Sequence, residues 1–249
     1  MTGNRLEILF RDEYFVAVNK PAGLLVHRSD LDRHETEFAL QMVRNQVGLH
    51  VYPIHRLDRP TSGVLLFALS PEAARRAGEA FESDVVRKTY LAVVRGVTEE
   101  EALIDYPLQE LPERFAAKSE PENGDAKEAV TAFRRLAMVE LPLPLGKFPT
   151  VRYSLLEVRP RTGRRHQIRR HLKHVFHPII GDTTYGEGRH NRLFRTELAC
   201  NRMLLHAAEL SFPHPWSGDT VTISAPLEGE FAKIIQLFGW RDSLRTPSS

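Results

Sequence analysis

Strand-sized runs of apolar and β-branched residues recur along the chain at 14–18, 64–69, 89–94, 130–133, 151–158, 203–212 and 220–224. Each is bounded by polar or turn-forming residues, which is the pattern of short β-strands. Helical periodicity lies between them. Ser70 as N-cap, Pro71 at the first helical position and Glu72 in the first turn predict a helix that continues through Phe81. A second helix is predicted over 37–47, closed by Gly48, and two more over 167–175 and 228–238. The strands do not alternate strictly with helices. The pattern therefore predicts an α+β fold, with a mixed, largely antiparallel sheet flanked by helices and loops.

Composition changes character once, over 111–128, a stretch rich in charge, Ala, Pro and Gly that reads as an exposed insertion. The strand pattern resumes after it unchanged, so a single domain over 1–249 is expected, with its core at about 6–240 and a polar tail at 242–249. With 249 residues and 42% hydrophobic content, the chain can bury a full core. The longest apolar runs, such as 63–69, are too short to span a bilayer, and the charged N-terminus does not resemble a signal peptide. Cys200 is the sole cysteine, which rules out an intrachain disulfide and argues against a thiolate-rich zinc site. A cytoplasmic protein without a membrane partner is expected.

The first candidate for chemistry is the polar turn His55-Arg56-Leu57-Asp58-Arg59-Pro60-Thr61-Ser62-Gly63, which feeds a buried strand. Asp58 stands between Arg56 and Arg59, and nearby guanidinium groups favour an ionised carboxylate fit to act as nucleophile or base. From this segment alone, an ordinary turn aspartate with an Asx-type hydrogen bond is the plainer reading.

The second candidate is 159–173, where Arg159, Arg161, Arg164, Arg165, Arg169, Arg170 and Lys173 accumulate without an acid. The net charge of only +2 hides this excess, which is the footprint of a polyanion contact and predicts binding to a phosphate backbone. His166, His171, His174 and His177 lack metal-ligand spacing, so no metal is expected there. His55, His206 and His214 read as hydrogen-bonded loop or strand residues, His55 bracing the Asp58 turn. No phosphate-cradling glycine motif occurs, and no cofactor is implied.

The Asp58 run resembles the signature of the RluA-type family of pseudouridine synthases. Further family-like segments follow in order: 18–23, 87–92, 162–172, 177–182 and 204–207. The resemblance implies a pseudouridine-synthase-like catalytic domain around an RNA-binding cleft, in which Asp58 is the catalytic aspartate and no cofactor takes part. It further implies that Tyr90 lies against the target base and assists proton removal, that Arg169 pairs with the Asp58 carboxylate, and that Arg56 fills the stack vacated by a flipped-out uridine. A tyrosine ring suits packing on a pyrimidine, and an arginine fork suits a carboxylate. Tyr90 as a core strand residue, Arg169 as a phosphate ligand and Arg56 as a turn stabiliser are the plainer readings.

Segments at 25–29, 147–153, 162–172 and 236–241 are most similar to the tRNA pseudouridine-65 synthase branch, which makes tRNA the expected partner and ribosomal RNA the alternative. An S4-like RNA-binding domain is not expected. Arg165 departs from the threonine common in the family, which bears on substrate choice more than on chemistry. Two rival classes remain: a glycosidase, which would need a second acid near Asp58, and a non-catalytic RNA-binding protein.

Overall fold

The computed structural model describes residues 5–27, 36–83, 85–110 and 125–244. Most of the expected insertion (111–124), residues 28 and 29 of one family-like segment, and the end of the tail (245–249) lie outside them. The architecture is built on a ten-stranded sheet: β1 (Glu7–Arg11), β2 (Phe15–Lys20), β3 (Tyr52–Pro53), β4 (Ser62–Ala68), β5 (Arg87–Arg95), β6 (Glu101–Asp105), β7 (Val130–Leu141), β8 (Val151–Pro160), β9 (Leu205–Pro213) and β10 (Thr220–Ser224). Among the described residues, five helices pack on it: α1 (Ala39–Val47), α2 (Pro71–Glu82), α3 (Gln167–His174), α4 (Gly188–Glu197) and α5 (Gly229–Leu237).

The spatial order is β1-β2-β4-β9-β5-β8-β7-β6, with β3 added to β4 and β10 to β9. Every pairing is antiparallel except β4 with β9, where only Ser62↔His206 and Gly63↔Ala207 pair. The predicted mixed, largely antiparallel α+β fold is the one observed.

Burial explains the sequence pattern. The six residues of β2 and the seven of β4 are buried throughout, because helices or strands cover both faces, so these strands read as continuous apolar runs. Val16, Val18, Leu65 and Phe67 meet Ala39 and Val43 of α1, while Phe15, Ala17, Val64 and Leu66 meet Ala73 and Ala77 of α2. Across the parallel seam the same two-sided logic holds. Ala92, Val94, Leu156 and Val158 take Ile168 and Leu172 of α3, and Leu91, Val93, Tyr153 and Leu155 take Phe194 of α4 with Phe231, Ile234 and Ile235 of α5.

The α2 signature operates as written, Ser70 Oγ accepting from the Ala73 amide with Pro71 in the first turn. Gly48 closes α1.

Two glycines fix how the halves meet. A β-carbon on Gly63 (φ 114) would stand 2.1 Å from the Ala207 carbonyl oxygen. One on Gly181 (φ 80) would stand 2.0 Å from that of Arg202. Both backbones abut the stretch 202–207, so the β4 side and the α3–α4 side are seated against one shared segment. Ser62 strengthens the seam: its hydroxyl is 2.7 Å from His206 Nδ1 and accepts from Arg202 at 2.7 Å.

Candidate active site

The turn before β4 is pinned from several directions. The Asp58 carbonyl accepts the Thr61 amide at 3.0 Å, and Leu57 is buried beneath the turn. His55 Nε2 accepts from the Leu66 amide at 3.2 Å and its ring stacks on Phe81, so it braces the turn as expected. Burial pushes His55 down to about 3, which keeps it neutral and able to accept.

On the other side the Arg59 carbonyl accepts from the Gly23 amide (2.8 Å) and from Lys20 Nζ (3.2 Å). Lys20 is fully buried and also donates to the carbonyls of Pro21 and Leu24. Burial, assisted by Arg202, pulls its pKa down to about 7. The family-like segment 18–23 is thus a clamp on the turn that carries Asp58.

The opposing wall comes from β8 and the turn into α3. Thr162 accepts from the Val130 amide and donates to Gln167 Oε1, which also accepts from the Arg164 amide. Gln167 in turn donates to the Val130 carbonyl and to Thr131, locking this turn to β7. His166 occupies the helix N-cap in the left-handed conformation (φ 55). Strained non-glycine backbone of this kind concentrates at functional sites.

Arg169 joins the two walls. Its NH1 donates to Asp58 Oδ2 at 2.9 Å, while Nε and NH2 donate to the two oxygens of Asp182 at 2.7 and 2.9 Å. Asp182 Oδ1 also accepts the amides of Thr184 and Tyr185. Burial opposes the charge on Arg169, yet the Asp182 and Asp58 carboxylates raise its pKa above the ordinary arginine value. For Asp182 burial again works against the charge, and the Arg169 fork overcomes it, holding the carboxyl below its usual range. His166 approaches from the side, Nε2 3.7 Å from Asp58 Oδ1 and Nδ1 3.0 Å from the Tyr185 hydroxyl. Burial keeps this histidine low, with the Asp58 charge opposing. The Tyr185 ring lies beneath the guanidinium of Arg169.

Between the walls opens a cleft of about 610 Å³. Asp58, Tyr90, Arg169, Arg56, Arg161, Arg164, Lys88 and His166 all line it. Burial and then the Asp58 charge raise Tyr90, so its hydroxyl is neutral before any reaction. Lys88, two residues along the same strand, sits over the Phe81 ring and is lowered by burial. Arg56 is exposed, with no ion-pair partner among the described residues.

Of the other basic candidates, Arg165 is exposed on the rim-side turn. The remaining three do not line the cleft: Arg159 pairs with Glu157 at 3.0 Å, Arg170 donates to the Gln109 carbonyl, and Lys173 projects from the last turn of α3. The second acid that a glycosidase would need is Asp182, but it is buried and committed to Arg169 and two amides.

Reasoning from sequence gave no site role to Asp182, Lys20 or Lys88, and weighed His166 only as a metal ligand. All four fall in family-like segments, which was the only pointer to a role in the site. The four histidines of 166–177 disperse: His171 bonds Thr131 and the Tyr106 carbonyl, His174 stacks on Tyr106, and His177 bonds the Arg95 carbonyl. Among the described residues, no cluster of three or more His, Cys, Asp or Glu is placed to hold a metal.

Known proteins bear directly on this geometry. A family model described as RNA pseudouridylate synthase matches residues 14–174. The chain is 54% identical over 239 residues to tRNA pseudouridine synthase C of Vibrio cholerae, covering 96% of this chain and 98% of that protein. It is 52% identical over 237 residues to the protein of the same description from Haemophilus influenzae, covering 95% and 99%. Among solved structures, Human RNA Pseudouridylate Synthase Domain Containing 1 superposes with a TM-score of 0.67 at 26% identity, over 100% of this chain and 99% of that one. The matched span runs from β2 through α3 and so contains Asp58, Tyr90 and Arg169. On fold, matched span and relatives together, this chain belongs to the RNA pseudouridylate synthase family.

Proposed function

We propose that the protein isomerises a uridine of tRNA, at position 65, to pseudouridine, with Asp58 as the catalytic carboxylate, and that it does so in the cytoplasm as a single catalytic domain. One observation carries the reading. Arg169, itself held by buried Asp182, presents a guanidinium to Asp58 at the floor of a cleft sized for a nucleotide. The tRNA target follows the relatives at 52–54% identity, which are tRNA pseudouridine synthases by name. On the membrane, the structure supplies one fact: no described helix is long and apolar enough to cross one.

The reaction breaks the bond from uracil N1 to C1′, turns the ring and joins C5 to the same carbon. C5 loses a proton and N1 gains one, so nothing is oxidised or transferred to a second molecule. Asp58 serves either by adding to the sugar or by deprotonating it. Arg169 keeps the carboxylate aimed and supplies a counter-charge while the uracil is detached. Tyr90 packs on the ring; its neutral hydroxyl takes the C5 proton as it passes its own to the freed carboxylate, and Asp58 gives that proton up to solvent, from which N1 is protonated. Extruding the uridine costs a few kcal/mol. Arg56, exposed at the mouth and without an ion-pair partner among the described residues, offsets part of this by entering the vacated stack. Arg161 and Arg164 at the cleft, with Arg165 beside it, meet phosphates, and Arg159, Arg170 and Lys173 extend the same basic surface.

The test uses tRNA carrying tritium at uracil C5, incubated with the purified protein. Tritium release that depends on the protein, with pseudouridine located by sequencing at position 65, is expected. D58N is expected to release none while still binding tRNA. Release from ribosomal RNA alone would transfer the assignment to that substrate, and release by D58N would remove Asp58 from its role.

A further inference from the structure

Phe176 is out of place by two physical criteria. Its amide donates to the Lys173 carbonyl at 3.0 Å and the next amide, of His177, donates to the Leu172 carbonyl at 2.8 Å. That pair of bonds is a helix cap whose left-handed position belongs by preference to glycine. Phe176 takes it at φ 65. The residue is 77% exposed, more than any other large hydrophobic residue described. Neither backbone conformation nor burial accounts for a phenylalanine here.

The segment is also held firmly. Arg95 NH2 donates to the Phe176 carbonyl at 2.9 Å while NH1 of the same side chain pairs with Glu187, and His177 Nδ1 bonds the Arg95 carbonyl at 2.9 Å. The ring is presented on a fixed support. On the preceding turn are Lys173, exposed and without an ion-pair partner among the described residues, and His174, stacked at 3.7 Å on Tyr106, a residue 42% exposed. Arg170 lies one turn back on the same helix. Glu187 is engaged by Arg95, the residue that also holds the Phe176 carbonyl.

Exposed rings interleaved with cations form the surface that tracks a nucleic-acid strand, bases stacking while phosphates meet the charges. A protein partner would instead call for a contiguous apolar patch, whereas the exposed residues on the preceding turn are Lys173 and His174, with Val175 half-buried. Position completes the case. α3 starts in the cleft with Arg169, and Phe176 follows about 10 Å further along the axis at 1.5 Å per residue. On the reading that the substrate is tRNA, we propose that the RNA-contact surface continues past the C-terminal end of α3, where Phe176 stacks on a nucleobase flanking the target uridine.

The experiment compares wild type with F176G and F176W in tRNA affinity, thermal midpoint and sedimentation. Glycine relieves the backbone while deleting the ring. F176G is therefore expected to bind tRNA at least about fivefold more weakly without a lower midpoint, and F176W to retain affinity. Affinity of F176G within about twofold of wild type overturns the proposal. So does a loss of binding matched by a fall in midpoint, which marks a structural role, or a wild-type dimer that F176G dissociates. Failure of the wild type to form pseudouridine would overturn the functional reading instead, and the affinity comparison would still decide this one.

Discussion

Replacing Asp182 by asparagine keeps the size of a buried side chain and removes its charge. In the native protein its two oxygens accept four bonds, two from Arg169 and two from the amides of Thr184 and Tyr185. An asparagine offers one oxygen and turns an NH₂ group toward donors, so at least one donor faces another donor. Removing one partner of a buried pair destabilises by roughly 3–5 kcal/mol. Arg169 retains Asp58, which places the expected loss near the lower end, about 3 kcal/mol. At roughly 2–4 °C per kcal/mol for a chain of this size, the melting temperature should fall by about 6–12 °C.

The pH dependence has a definite sign. The folded pKa of Asp182 lies below its ordinary value, so its contribution is present above about pH 4 and is lost as pH drops through the folded pKa. The gap between wild type and D182N should be constant from pH 7 to 5 and shrink below about 4. Single-turnover tritium release should fall as well, since Arg169 NH1 is no longer aimed at Asp58. Calorimetry across pH and a quenched tritium assay measure both. A midpoint lowered by less than about 2 °C, with normal turnover, would refute the idea that Asp182 holds the arginine.

Tyr90→Phe keeps the ring and deletes the hydroxyl. It should preserve tRNA binding in a filter assay yet slow tritium release by about 10²–10⁴-fold, the range for a positioned proton-transfer group. Lys20 titrates near 7 in the folded chain against about 10.4 unfolded, so folding releases a proton between those values. The stability of wild type relative to K20M, read from urea midpoints, should rise as pH goes from 7 to 9. Arg161→Gln and Arg164→Gln should each lower the slope of log affinity against log salt by about one. Arg159→Gln, whose arginine is committed to Glu157, should lower it less.

What the sequence revealed follows burial and local chemistry. β10 falls at 220–224 as predicted, and α2, with its Ser-Pro-Glu start, was found within one residue at its C-terminal end. The elements that escaped have mixed faces. β1 and β6 lie at the two ends of the sheet and are largely exposed, so their apolar residues never alternate cleanly. The second half of β7, 134–141, carries Arg, Leu, Ala, Met and Glu, residues that favour helix, and is held extended by pairing with β8 out to Leu141↔Val151. α4 buries only Leu193 and Phe194 and has no side-chain N-cap bond.

At the site, a contact between residues 111 positions apart, Asp58 and Arg169, was available only through family resemblance. Asp182, His166 and Lys20 gave no periodicity at all. Their importance lies in burial against particular partners, which a linear pattern does not encode.

The two glycines at the seam place a limit on how such a chain can diverge. Gly63 lies five residues after Asp58, and Gly181 immediately precedes Asp182, so each sets the seat of one carboxylate against the stretch 202–207. Between these anchor points, loops can lengthen and surface residues can drift without altering the spacing of the three charges. A single methyl group at either glycine would need more than 1 Å of backbone retreat from a carbonyl oxygen, and that displacement would be delivered straight to the Asp58–Arg169–Asp182 triad. In a screen of random variants, loss of activity should therefore map to Gly63 and Gly181 as sharply as to Asp58, although neither glycine has an atom that reacts.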